Sequence, residues 1–172
     1  MTRLLTYFIG FTILLSGAAK GMAQDMMEEE EGRWSIALHG GAGTINRTEI
    51  TPEKDAEIRT ALNAALEAGS KILKIGGSAM DAITATITLL ENDPNFNAGK
   101  GAVFTWDKTN ELDSSIMDGS DLSAGAVAGV SATKNPILLA RAVKDNSPHV
   151  MLSGNGADQF SREQGLEQVT PD

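Results

Sequence analysis

The sequence predicts an α+β fold (α/β in the broad sense) in which helices cover an antiparallel sheet. The predicted elements run strand, two helices, strand meander, helix, strand and helix, which is not the strict alternation of a doubly wound parallel sheet. The turns at residues 107–110 and 118–121 are short enough to join antiparallel neighbours. Residues 124–130 contain only alanine, glycine and valine, and such small side chains let another layer pack closely.

Composition and charge narrow the class of protein. A chain of 172 residues suffices for about one domain, and its 41% hydrophobic and 22% charged residues argue against overall disorder. The net charge of −9 argues against a nucleic-acid partner, which needs a basic face for the phosphates. The lack of cysteine removes disulfides and thiol nucleophiles, and two histidines, His39 and His149, are too few for a histidine-rich metal site.

The N-terminus has the pattern of a targeting signal. A positive start at Arg3 precedes an apolar run over residues 4–15, and Gly21-Met22-Ala23 is a small-x-small cleavage site. The alternative, a membrane anchor, needs about 20 apolar residues, and this run is shorter. We therefore expect a signal peptide at residues 1–23, an acidic mobile N-terminus at 24–33, and one domain at 34–172. The protein would be secreted or periplasmic, with no membrane contact after signal removal.

The first half of that domain predicts a strand and two helices. Residues 34–38 alternate as a strand and lead into a glycine loop. Thr51 and Pro52 are suited to begin a helix, which Gly69 can end. Ser78 begins a second helix, with Asp81 completing a variant capping box. The apolar residues at helical spacing are Ile58, Leu62, Ala65 and Leu66 in the first helix and Met80, Ile83, Ile87 and Leu90 in the second.

The sequence of the second half of the domain predicts the strands of the sheet and two further helices. Residues 92–101 contain Asn, Asp, Pro and Gly, which is typical of a loop. Strands are expected at residues 102–106, 111–117, 124–131 and 149–153. Helices are expected from Asn135-Pro136 onward and over residues 156–165.

Three polar segments could carry chemistry, and each has a simpler interpretation. The glycines at 40–43 could present N–H groups to an anion or form a tight turn. The loop at 97–104, with acids just upstream, could hold a hard cation or merely end a helix. Glu111, Asp113 and Ser115 would share one face of a strand, as paired carboxylates for acid–base work or as a solvated sheet edge before an Asp-Gly turn.

Taken in order, six segments resemble one family. They are similar to the α-subunit region of plant-type L-asparaginases, also called isoaspartyl peptidases: IALHGGAG at 36–43, GSAMDAI at 77–83, FNAGKGAVF at 96–104, ELD at 111–113 with MDG at 117–119, AGAVAGV at 124–130, and SPHVM at 147–151. The resemblance implies an αββα sandwich of the N-terminal-nucleophile type. It also implies a precursor that cuts itself to free a threonine, whose hydroxyl attacks the amide while its own amine acts as base. Substrates would be β-aspartyl dipeptides and L-asparagine.

The resemblance assigns supporting roles to residues of this chain. Asn97 matches an asparagine near the nucleophile, and Gly40 and Gly41 match a glycine loop near the site of self-cleavage. A structural sodium ion would be held by main-chain carbonyls of Leu90, Glu91, Asp93, Phe96, Ala98 and Lys100. No catalytic cofactor is implied.

The family nucleophile has no match among these residues. We therefore expect a truncated α-subunit region, inactive by itself, whose partner is the β-subunit of the same precursor in an (αβ)2 assembly. Two alternatives remain open: a non-catalytic relative that binds a partner, and a glycosylasparaginase-type amidase.

Overall fold

The computed structural model describes residues 34–41 and 50–170 of the chain. The predicted signal peptide at 1–23, the acidic segment at 24–33 and the glycine-loop residues 42 and 43 lie outside the described residues. The chain divides into two compact units, Met1–Ser35 and Ile36–Asp172. All the described helices and strands belong to the second unit.

Two helices open this unit. Helix α1 spans Pro52–Lys74, and the Thr51 hydroxyl accepts a hydrogen bond from Lys54 N at 3.2 Å, which confirms the predicted start. The predicted end at Gly69 is wrong, because Gly69 is buried inside the helix. A Cβ there would lie 2.4 Å from Thr86 Oγ1, so the glycine allows a neighbouring helix to approach closely.

Helix α2 spans Ala79–Glu91 and begins as predicted. The Ser78 hydroxyl accepts from Asp81 N at 3.0 Å and donates to the Asp81 carboxylate at 2.7 Å. Of the predicted apolar stripe, Met80 is buried, and Ile83 and Ile87 pack partly buried against the core. The two helices pack as a pair beside the sheet.

One three-stranded sheet follows, in the order β1-β2-β3, formed by Leu112–Met117, Ala124–Val130 and Met151–Ser153. Strands β1 and β2 pair antiparallel as predicted, but β2 and β3 pair parallel, so the sheet is mixed. The reason is helix α3, Pro136–Asn146, which lies between β2 and β3 in the chain and provides the crossover that parallel strands require. Helix α4, Gly154–Glu163, follows β3 directly.

Two predicted strands are not formed among the described residues. Residues 34–38 pair with no described strand. Residues 102–106 instead form an irregular segment whose backbone is satisfied by side chains. Asn110 Nδ2 donates to the carbonyls of Ala102 and Val103 at 2.9 and 3.2 Å, and Val103 N donates to Asn97 Oδ1. These side-chain bonds replace the ladder bonds that a strand would need.

The small-residue strand β2 allows close packing, as its composition predicts. A Cβ at Gly125 would lie 2.1 Å from the Ala140 carbonyl oxygen of α3, so only glycine permits this approach. The core forms between the sheet and helices α2, α3 and α4, and its buried members are Met80, Ile116, Val127, Val130, Ile137, Leu139, Ala140, Val143 and Ala157. The described chain is thus a mixed α/β fold with four helices and one small sheet. It is consistent with the α+β expectation and contains one sheet of the two that a sandwich needs.

Candidate functional site

The described part of the glycine loop, His39 to Gly41, lies at the surface. The Gly41 N–H donates to His39 Nδ1 at 3.1 Å, and Gly41 has a φ of 120°, in the region that favours glycine. A Cβ at Gly40 would lie 2.9 Å from Leu62 Cδ2 and 3.5 Å from Phe96 Cε1. The fold therefore places Gly40 against the residue that precedes Asn97, which brings two of the predicted segments together.

The loop after α2 fixes the side chain of Asn97. Val103 N donates to Asn97 Oδ1 at 3.0 Å, while Asn97 itself is exposed. On one side of it Phe96 is only 5% exposed and anchors the loop. Asn95 Nδ2 binds the Glu57 carboxylate of α1 at 2.9 Å. With its oxygen engaged by the backbone, Asn97 has its Nδ2 group as the donor for a further partner.

At two glycines of this loop, main-chain carbonyl oxygens lie so close to the Cα that a side chain would clash with them. A Cβ at Gly99 would lie 2.3 Å from the Glu91 carbonyl oxygen, and a Cβ at Gly101 would lie 2.1 Å from the Phe96 carbonyl oxygen. Gly99 also has a φ of 51°. The turn is therefore lined closely by carbonyl oxygens, the neutral oxygen donors that hard cations take. Of the six residues to which the resemblance assigns sodium, Glu91 and Phe96 contribute these two carbonyl oxygens, and the assignment to the whole set stays a prediction: Leu90, Glu91, Asp93, Phe96, Ala98 and Lys100.

The Glu91 carboxylate has a separate role that sequence reasoning missed. It is 3% exposed and reaches the N-terminus of α3, where it accepts from Ile137 N at 2.9 Å and from Asn135 Nδ2 at 3.1 Å. Asn135 precedes α3 without capping it through its own side chain, so Glu91 acts as the cap from another helix. Burial raises the pKa of Glu91 to about 7, against the opposing effect of the two hydrogen bonds.

A cavity of about 660 Å3 lies beside the loop. Lys100 and Lys134 both line it, together with Asn110, Phe104 and Thr170. Lys134 pairs with Glu167 at 2.9 Å, whereas Lys100 pairs with no carboxylate of the described residues. Lys100 of the predicted sodium loop thus borders the cavity, as do Glu91 and Gly99 of the carbonyl-lined turn.

Two carboxylates around β1, Asp113 and Asp118, have structural partners. Asp113 Oδ1 accepts from Gly129 N at 2.8 Å, across an irregularity in the strand pairing between Leu112 and Ser114. Asp118 accepts from the backbone and hydroxyl of Ser120 at 2.9 and 2.7 Å, which lowers the pKa of Asp118. These contacts favour the interpretation as a sheet edge and turn over that of an acid–base pair.

Among the described residues, the two histidines make only local hydrogen bonds. The backbone N–H of His149 donates to the Ser147 hydroxyl at 3.1 Å, and within residues 34–41 and 50–170 no serine or threonine hydroxyl bonds to the imidazole of either histidine. The same part of the chain holds no group of three histidines or acids that could bind a metal. None of its helices is long and apolar enough to cross a bilayer.

A second missed residue is Asp158 of α4, which is 3% exposed. It bonds to residues 131–133, more than 24 positions earlier in the chain. No local pattern in the sequence marks either Glu91 or Asp158, because their partners come from distant segments.

Comparison with known proteins agrees with the resemblance. A family model described as asparaginase matches residues 32–172. The isoaspartyl peptidase of Escherichia coli K12 is 50% identical over 141 residues, which are 82% of this chain and 44% of that protein. The isoaspartyl peptidase/L-asparaginase of Mus musculus is 46% identical over 134 residues, 78% of this chain and 40% of that protein. A plant-type L-asparaginase of Pyrococcus abyssi is 46% identical over 137 residues, 80% of this chain and 43% of that protein. The chain thus spans less than half the length of these curated relatives.

Proposed function

Because the chain belongs to the asparaginase family whose model it matches over residues 32–172, we propose that the full-length protein is an isoaspartyl peptidase/L-asparaginase. By full-length protein we mean the longest product of the reading frame that contains this chain. The observation that carries the proposal is the 50% identity to an isoaspartyl peptidase over 82% of this chain. The range of the family model contains all six segments on which the resemblance rests.

The proposed reaction is hydrolysis of β-aspartyl dipeptides and of L-asparagine. The precursor cuts itself and frees a threonine outside these 172 residues. The threonine hydroxyl attacks the substrate amide, and its α-amine, with an ordinary pKa near 8, takes the proton. Oxyanion donors stabilise the tetrahedral intermediates, and water then releases aspartate from the acyl-enzyme.

This chain contributes supports to that site. Asn97 is held by the Val103 N–H and offers its Nδ2 group to the reacting centre or to a water beside it. Gly40, packed on Phe96, keeps the backbone of the glycine loop close to Asn97. Main-chain carbonyls of residues 90–100 would hold a sodium ion, which would supply charge that orders the loop. Residues 34–172 form the α-subunit, which assembles with the β-subunit of the same precursor as (αβ)2.

The proposal also includes export of the protein from the cytoplasm. The positive start, apolar run and small-x-small site of residues 1–23 support a signal peptide and a secreted or periplasmic enzyme. N-terminal sequencing of the protein recovered outside the cytoplasm tests this: a start at Gln24 is expected, and a retained Met1 would contradict it.

The central experiment expresses the full-length protein. We expect a precursor band that converts into two pieces, and release of aspartate from a β-aspartyl dipeptide and from L-asparagine. The 172-residue chain alone, prepared in parallel, is expected to release none. An uncut, inactive protein that is stable and monomeric would instead indicate a non-catalytic relative. Hydrolysis confined to glycosylated asparagine would indicate the other amidase.

A further inference from the structure

The sequence contains a single Asn-Gly dipeptide, Asn155-Gly156, and it lies in the first turn of helix α4. In such a dipeptide the backbone nitrogen of the glycine can attack the side-chain amide carbon of the asparagine, because glycine has no Cβ to hinder the approach. The attack closes a succinimide ring and expels ammonia, and water then opens the ring to an aspartate or an isoaspartate residue. In a folded protein this reaction depends on how exposed the dipeptide is and how firmly its backbone is held.

The dipeptide lies at the surface of the described unit. Asn155 and Gly156 are both exposed, and a Cβ at Gly156 would meet no atom within 4 Å. The next two residues, Ala157 and Asp158, are buried. Water therefore reaches the two residues that would react, while the rest of the helix is anchored in the core directly after them.

The backbone of this first turn is held weakly. The first four N–H groups of a helix have no partner inside it, and the Gly156 N–H is one of them. Ser153, which precedes α4, forms no side-chain cap, and both Gly154 and Gly156 are poor helix formers. Ring closure requires Asn155 to leave helical backbone angles. A turn that starts without a cap and contains two glycines can open locally while the remainder of α4 stays in place.

Two positions with related chemistry are more restrained. The chain has one Asp-Gly dipeptide, Asp118-Gly119, but hydrogen bonds from Ser120 lower the pKa of Asp118, and an ionised carboxylate is a poor target for attack. The Asn146 amide donates to Gln164 Oε1 at 2.7 Å, and the residue after Asn146 is a serine, whose Cβ hinders the attacking nitrogen. The comparison singles out Asn155.

We propose that Asn155 is a site of spontaneous deamidation in the folded protein, through attack of the Gly156 nitrogen on the Asn155 Cγ. The hydrogen of the Gly156 N–H and the side-chain NH2 group leave together as ammonia, and one water molecule adds to the ring, so the atoms balance without another reactant. The product carries one more negative charge. Its isoaspartyl form is a β-aspartyl linkage, the kind of bond that the proposed function would hydrolyse in dipeptides, but the modification itself does not depend on that function.

The test follows residue 155 by mass spectrometry in the full-length protein, incubated folded in mildly alkaline buffer. Trypsin cuts after Lys144 and Arg162, so one peptide contains both Asn155 and the reference Asn146, and fragmentation distinguishes them. A sample digested without incubation gives the background. We expect Asn155 to convert at least about tenfold faster than Asn146, which equals about 1.4 kcal/mol in activation free energy. Conversion of Asn155 no faster than that of Asn146 would overturn the inference.

A variant and its matched control test the proposed attack. Gly156→Ala adds a Cβ into open space at an ordinary φ, so the fold is kept while the attacking nitrogen is hindered. Conversion of Asn155 should then slow about tenfold. Gly119→Ala adds a Cβ at another open glycine and should leave the rate at Asn155 unchanged. If Gly156→Ala converts at the wild-type rate, the Gly156 nitrogen is not the attacking group and the inference is wrong.

The unfolded chain tests the structural part of the inference. Wild-type protein unfolded in urea has no helix at residue 155, so its rate of deamidation is that of the bare dipeptide. We expect the folded protein to convert within about tenfold of that rate, because opening the first turn of α4 requires little free energy. A folded protein that keeps Asn155 intact while the unfolded chain converts would show that α4 protects the dipeptide, and it would refute the proposal.

Discussion

Glu91 allows a quantitative test, because its buried carboxylate caps α3 from the end of α2. Two substitutions separate its charge from its hydrogen bonds. Glu91→Gln keeps an acceptor for Ile137 N and removes the charge, while Glu91→Ala leaves Ile137 N without a partner and leaves the Asn135 amide with its bond to Asn92 Oδ1 alone. The second change should cost about 1–3 kcal/mol for the buried Ile137 N–H left unpaired.

The charge sets the pH dependence. The pKa of Glu91 rises from 4.5 to about 7 because burial penalises the ionised form. A shift of about 2.5 units corresponds to about 3.4 kcal/mol. Since the folded-state pKa is raised, this stabilisation is fully present below pH 4.5 and is lost as the pH rises through 7. The free energy of unfolding of wild type minus that of Glu91→Gln should therefore fall by about 3 kcal/mol between pH 4.5 and pH 7.5.

Urea denaturation followed by circular dichroism, at steps of pH between 4.5 and 8, measures the difference. Sodium-free buffers keep an ion on the neighbouring carbonyls from altering the titration. One fixed protein concentration keeps any assembly constant. A difference that stays level or grows with pH would refute the reasoning, because it would mean that the hydrogen bonds from Ile137 and Asn135 outweigh burial. A Glu91→Ala variant as stable as Glu91→Gln would refute the capping role.

Three further predictions concern the packing and the caps. Gly125→Ala should destabilise the protein by more than about 3 kcal/mol, because its Cβ would meet the Ala140 carbonyl at 2.1 Å, while Gly119→Ala, which meets nothing within 4 Å, serves as the near-neutral control in thermal melts. Ser78→Ala should lose about 1 kcal/mol in urea melts through its missing bond to Asp81 N; an unchanged midpoint would argue against the cap. Hydrogen bonding from the Ser78 hydroxyl, with the nearby Arg141, lowers the pKa of Asp81. Wild type should therefore lose stability relative to Asp81→Asn as the pH falls below about 4, and a difference unchanged from pH 5 to 2.5 would contradict this.

Local features were predicted well from the sequence. The starts of α1 and α2 follow from Thr51, Pro52 and Ser78, because a cap is decided by residues within one helical turn. Strand β2 and its tight packing follow from its composition. These predictions depend on no distant part of the chain.

Features decided by tertiary contacts were not predicted. Gly69 resembles a helix end, yet it lies inside α1 because Thr86 of the neighbouring helix needs the space. Residues 102–106 have the composition of a strand, but side-chain amides satisfy their backbone instead. The resemblance assigned Glu91 a role for its main chain, while its carboxylate binds residues 44 and 46 positions away. Sequence patterns carry no information about such pairings.

The bonds between α4 and the exit of β2 also impose an order on synthesis. The Ser131 N–H can form its hydrogen bond to Asp158 only after Asp158 has been synthesised, 27 residues later in the chain. At about 5–20 residues per second, the ribosome takes about 1–5 s to deliver that acceptor. Until then the N–H groups of residues 131 and 132 must bond to water, and the end of β2 cannot be buried. Helix α4, which is synthesised after all three strands, therefore decides when the end of β2 can be buried.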